Sequence, residues 1–185
     1  MERSDADPLA DHLIRSYLGT AAHSRQFADE WGQPPTRAAQ AQILRSIAQV
    51  LILEDERLIL DPEYVESGRL AYEVAETKAL YLVRSSAAVT IEQGIVQRLF
   101  SIAGFHESPV TLVVYRFHKE GLDLGHAPTR RQRGRRRLVA AEPPEHLGTW
   151  PFASSTLPPF NQGSSEAWRE LGELGHDSEE VGGNA

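Results

Sequence analysis

Cysteine is absent, which excludes disulfides, thiolate zinc sites and cysteine nucleophiles. Long apolar runs are absent too. The densest is Val50-Leu51-Ile52-Leu53, far short of the ~18 residues of a membrane-spanning helix. The first residues, Met1-Glu2-Arg3-Ser4-Asp5, lack the apolar core of a signal peptide. The expectation is a cytoplasmic protein with no membrane partner. No Gly-rich phosphate loop and no Gly-x-Ser-x-Gly elbow occurs, and the seven histidines show no metal-ligand spacing. Lysine is scarce, with only Lys78 and Lys119 against 17 arginines. A lysine kept in such a chain draws notice, because arginine does not replace a compact ammonium beside a metal-bound phosphate.

What remains is 185 residues, 41% hydrophobic and 24% charged, enough for one domain with a sizeable core. Charge is unevenly placed. Residues 142–185 carry eight acids and a single base, Arg169, whereas residues 1–141 balance at zero. Six cations fall within eight positions, Arg130, Arg131, Arg133, Arg135, Arg136 and Arg137. Such a block suits several phosphates of a nucleic-acid backbone, and otherwise reads as a solvated loop. The expected organisation is an α/β domain over 1–141 with N-terminal helices, followed by a Pro- and Gly-rich acidic tail over 142–185, partly disordered.

Periodicity places the elements. Residues 8–30 read as a helix capped by Asp7, with Leu9, Leu13 and Leu18 at helical spacing. Thr36 caps a second helix whose stripe is Ala39, Ile43, Ile47 and Val50. Ile52-Leu53 and Leu58-Ile59-Leu60, separated by four charged residues, read as a hairpin. Arg69 to Val83 reads as one strand, with Leu70, Tyr72, Val74, Glu76 and Lys78 on one face. Thr90-Ile91-Glu92-Gln93 fits a capping box that opens a helix. Val110 to Phe117 is strongly β-prone, and Leu122–Leu124 and Leu138–Ala141 are shorter strand candidates. The expected fold is a mixed central sheet flanked by helices.

One constellation carries chemistry. Asp61 ends a strand, and Glu76-Thr77-Lys78 lies on the next, where a period of two puts Glu76 and Lys78 on one face. Two carboxylates can hold a Mg²⁺, which lowers the pKa of a bound water, and a lysine can position that water or stabilise developing charge.

Over roughly residues 36–117 the order helix, strand, strand, strand, helix, strand, with Asp61 and Glu76-Thr77-Lys78 in it, resembles the PD-(D/E)XK nuclease superfamily. The resemblance implies a restriction-endonuclease-like core and a Mg²⁺-dependent nuclease acting on phosphodiester bonds. Asp61 and Glu76 would bind the metal, Lys78 would act on the water, and Gln93 would help shape the site. The arginine block would then hold the substrate backbone.

Two other classes fit the same residues. Helices followed by a β-wing over Ile52–Leu60 would make a noncatalytic winged-helix DNA-binding or regulatory protein. A nuclease-like fold without activity would serve as a partner-binding module, with a homodimer or a protein partner engaged through the C-terminal segment.

Overall fold

Two helices open the chain. Helix α1 (Arg3–Trp31) starts at a reciprocal cap: the Glu2 side chain accepts from Asp5 N–H, and Asp5 Oδ2 accepts from Glu2 N–H at 3.1 Å. It thus begins earlier than expected, with Pro8 inside it, and Asp7 is not its cap. Helix α2 (Arg37–Leu53) starts as expected, Thr36 Oγ1 accepting from Ala39 N–H at 3.3 Å. The structure is a computed structural model and describes residues 1–89, 105–132 and 138–152.

The strands that follow are β1 (Leu58–Leu60), β2 (Leu70–Val74), β3 (Leu80–Ser85), β4 (Phe105–Phe117), β5 (Gly121–Gln132), β6 (Leu138–Ala140) and β7 (Glu145–Pro151). A short helix, α3 (Pro62–Glu66), joins β1 to β2. The sheet runs β1-β2-β3-β4-β5-β6, and β7 shares the second edge of β5 with β6. Every pairing is antiparallel except β3 with β4, which is parallel. A parallel pair needs a crossover between its strands; the crossover here begins with helical backbone at Ser86. Thr90, Gln93 and the rest of the expected helix lie outside the described residues.

The fold is mixed α/β, with a mostly antiparallel sheet of seven strands flanked by helices. Helices α1 and α2 cover one face. Leu9, Leu13, Leu44 and Ile52 pack there on Leu70, Tyr72, Val83, Val113, Leu122 and Trp150. The other face holds Ala71, Leu82, Val110, Leu112 and Val114, with Val89 and Leu138 buried against them and Tyr64 of α3 beside them. Each large side chain so buried contributes roughly 1.5–3 kcal/mol.

Three expectations need correction. The strand expected over Arg69–Val83 is two strands, β2 and β3, folded back through residues 75–79. A single strand would have set Glu73, Glu76, Thr77 and Lys78 in the middle of a central ladder. The hairpin buries both apolar halves and leaves the polar stretch in water. The hairpin expected over Ile52–Leu60 does not form, because Ile52 and Leu53 end α2 and Leu58–Leu60 pairs with β2. With it goes the proposed β-wing, and α2 is packed against α1, β1 and β2. Finally, the chain after Pro143 does not meander at once: β7 pairs residue by residue with β5, so the sheet continues past residue 141. Trp150 anchors it, donating from Nε1 to Asp7 Oδ1 at 2.8 Å beneath the Arg3 guanidinium.

Candidate nucleic-acid interface

The residues expected to share a metal stand apart. Asp61 follows β1 and caps α3, its Oδ1 accepting from Tyr64 N–H at 3.3 Å. Its own N–H donates to Ala71 O at 3.1 Å, which sets it level with the start of β2. Glu76 lies beyond the far end of β2, in the exposed turn that joins it to β3. The length of β2 separates the two carboxylates by more than roughly 10 Å at ~3.3 Å per residue. A shared Mg²⁺ holds its oxygens at about 2.0–2.1 Å, so this pair does not fit one ion.

Lys78 also sits in that turn rather than on a strand face. Its backbone is left-handed at φ 56°, and its N–H donates to Val74 O at 2.8 Å. Its ammonium meets Glu73 Oε1 at 3.3 Å, an exposed pair of the kind that contributes little. Gln93 lies outside the described residues, as do Arg133, Arg135, Arg136 and Arg137. Among the described residues no group of three or more His, Asp or Glu is placed to hold a metal ion.

The structure does gather cations elsewhere. A cavity of about 660 Å³ opens between α2, the start of β2 and the end of β3, and Arg45, Arg69 and Arg84 all line it. Among the described residues no carboxylate lines it. Each arginine is set there by local structure. Arg45 follows the apolar stripe of α2 to its flank, where one terminal nitrogen donates to Gln42 Oε1 at 2.6 Å. Its Nε is buried with no hydrogen-bond partner among the described residues. Arg69 is delivered by a tight turn. Gly68 takes φ 68°, Arg69 N–H donates to Tyr64 O at 2.9 Å, and Gln49 Nε2 donates to Arg69 O at 3.1 Å. Arg84 sits near the end of β3, paired across the sheet with Val114.

The remaining wall is largely apolar, with Leu44, Leu70, Leu82 and Leu138 beside Tyr115. Burial pushes the Tyr115 hydroxyl up from its usual pKa, and the Arg45 charge opposes that shift. Three like charges around one hollow repel each other, and their field draws an anion.

The arginine block adjoins this cavity. Arg130 and Arg131 belong to β5, paired with Val139 and Leu138 of β6, and Leu138 itself lines the cavity. Burial raises the Tyr64 phenol, and the Arg131 charge is the largest influence against that shift, followed at a distance by that of Arg69. Sequence reading found Arg130 and Arg131 because they are consecutive. It missed Arg45, Arg69 and Arg84, which lie on three elements and show no spacing. The one local signal was Gly68 before Arg69, a turn that fixes where the arginine begins its strand.

A second polar cluster ties helices to sheet. His12 Nε2 lies 2.8 Å from Asp55 Oδ2, and Asp55 also takes two side-chain bonds from Arg57, at 2.8 and 2.7 Å. The Arg57 hydrogen bond holds the Asp55 carboxyl well below its usual pKa, while burial lowers the His12 pKa against the pull of Asp55. His12 is nearly sealed from solvent at 4% exposure, so this cluster is a joint of the fold rather than an open site.

Comparison with protein-family models, curated proteins and solved structures gives no match.

Proposed function

We propose that the protein binds nucleic acid through its phosphates, on a nuclease-like order of strands, and that capture rather than hydrolysis is its work. One observation carries this reading: Arg45, Arg69 and Arg84 line one cavity without a carboxylate, while Asp61 stands at the opposite end of β2 from Glu76 and Lys78. The succession α2, β1, β2, β3 and then β4 parallel to β3 supports the nuclease-like frame. The residues of a hydrolytic centre do not support hydrolysis in that frame. This is the third class weighed from sequence, a fold of that type without activity, with nucleic acid as the partner.

Phosphate contacts by arginine release counterions, so affinity falls steeply as salt rises, by a slope of about 0.9 per contacted phosphate on duplex and about 0.7 on a single strand. The test is fluorescence anisotropy of labelled single-stranded and duplex DNA and RNA across a salt series. The expected result is salt-dependent binding to at least one of them. A protein in which Arg45, Arg69 and Arg84 are all replaced by glutamine should show a slope smaller by roughly two to three. Absence of binding at low salt, or a slope untouched by the three replacements, overturns the reading.

A further inference from the structure

The shape of the arginine cavity narrows what it takes. A duplex backbone lies along a surface stripe, and Arg130 and Arg131 on β5 offer one. A concave site of about 660 Å³ has the size of a pocket for a small molecule and admits a single unit, not a helix. Its walls are of two kinds. Arg45, Arg69 and Arg84 bring forked donors that match phosphate oxygens in pairs. Leu44, Leu70 and Tyr115 offer an apolar and aromatic surface suited to a base or a sugar.

The charge state of the ligand follows from the cations. A phosphodiester carries one negative charge, whereas a phosphate monoester carries about −1.5 to −2 near neutral pH and presents three strong acceptor oxygens. Three arginines with no lining carboxylate answer the second better than the first. The buried, unpartnered Nε of Arg45 is a separate sign. A guanidinium donor shut away from water without an acceptor costs free energy, which a phosphate oxygen would recover.

We infer that the cavity between α2, β2 and β3 is a binding site for one nucleotide bearing a terminal phosphate monoester, held through Arg45, Arg69 and Arg84. The nucleotide is either free or the phosphorylated end of a strand whose backbone continues past Arg131. The strand source rests on the nucleic-acid reading above; the free nucleotide does not.

The test has an arm for each source. Calorimetric titration compares adenosine monophosphate, adenosine and inorganic phosphate. Anisotropy compares one short single strand carrying a phosphate at its 5′ end, at its 3′ end, or at neither. The nucleotide should bind while adenosine does not, and one phosphorylated end should bind about tenfold more tightly than the unphosphorylated strand. Arg45→Gln and Arg69→Gln should each remove most of that advantage. Arg69→Lys keeps the charge but not the fork, and should give an intermediate loss in a chain whose thermal unfolding is unchanged. Binding of the nucleotide without any strand upholds the cavity and defeats the nucleic-acid reading. Strands bound equally with and without a terminal phosphate, together with no binding of the free nucleotide, defeat the cavity and leave that reading intact. Nucleotide binding that survives both glutamine replacements also overturns the assignment.

Discussion

Lys78 shows how much one backbone angle decides. Its φ of 56° is in the left-handed region, which costs a residue with a Cβ roughly 1–2 kcal/mol and glycine almost nothing. Lys78→Gly should therefore stabilise the chain by about 1 kcal/mol, and Lys78→Ala should leave nucleic-acid affinity unchanged. Urea unfolding and anisotropy check the two. Asp61 differs in kind, because its carboxylate caps α3. Asp61→Ala should cost about 1 kcal/mol of stability without weakening phosphate binding, whereas a metal-binding role would demand loss of cleavage.

His12 and Asp55 set the response to acid. The folded-state pKa of His12 lies below its ordinary 6.5 because burial outweighs the pull of Asp55. The unfolded chain therefore binds more protons once the pH drops below about 6.5, and stability declines from there. Asp55 acts in the same direction at lower pH. Its folded pKa lies below 3.8, through the Arg57 bond first, so its contribution is full above 3.8 and is lost as the pH falls further. Unfolding midpoints between pH 7.5 and 5 should fall in the native chain and fall less in His12→Gln, which keeps a donor for Asp55 and does not titrate. An equal fall in both would remove His12 from the account.

At the scale of elements, Gly121 marks where strands meet most closely. A Cβ built there would run into the carbonyl oxygen of Trp150 on β7. Gly121→Ala should pry β7 from β5 and cost about 1–3 kcal/mol, read as a lowered unfolding midpoint with faster amide exchange over residues 145–151. Local rules made some elements legible beforehand. Thr36 caps α2 as its side-chain chemistry requires, and Leu70, Tyr72 and Ala71 take the faces that a period of two assigns them. The turn at 75–79 was hidden because alternation continued across it without glycine or proline, and a left-handed lysine leaves no mark in composition. The length of β5 was hidden too. Pro128, Thr129 and Arg130 look like a loop until β4 and β6 pair with them. The arginine cavity was invisible for the same reason, since only tertiary contact joins α2, β2 and β3 at one hollow.

Over the whole molecule, charge is divided by segment. Of the formal −7, residues 153–185 hold six acids against Arg169, while Arg45, Arg69, Arg84, Arg130 and Arg131 lie on or beside one cavity. A chain ending at Phe152 should bind nucleic acid a few-fold more tightly at low salt, with the gain fading as the Debye length shrinks from ~30 Å at 0.01 M to ~8 Å at 0.15 M. Equal affinities at low salt would detach the tail from binding. The most direct measurement places the full chain with labelled single strands and duplexes in Mg²⁺ and reads binding and strand length from the same samples. Strands bound and intact, with Lys78→Ala indistinguishable from the native chain and affinity lost when Arg45, Arg69 and Arg84 become glutamine, is the predicted result. Cleavage that requires Mg²⁺ and stops in Lys78→Ala would contradict it.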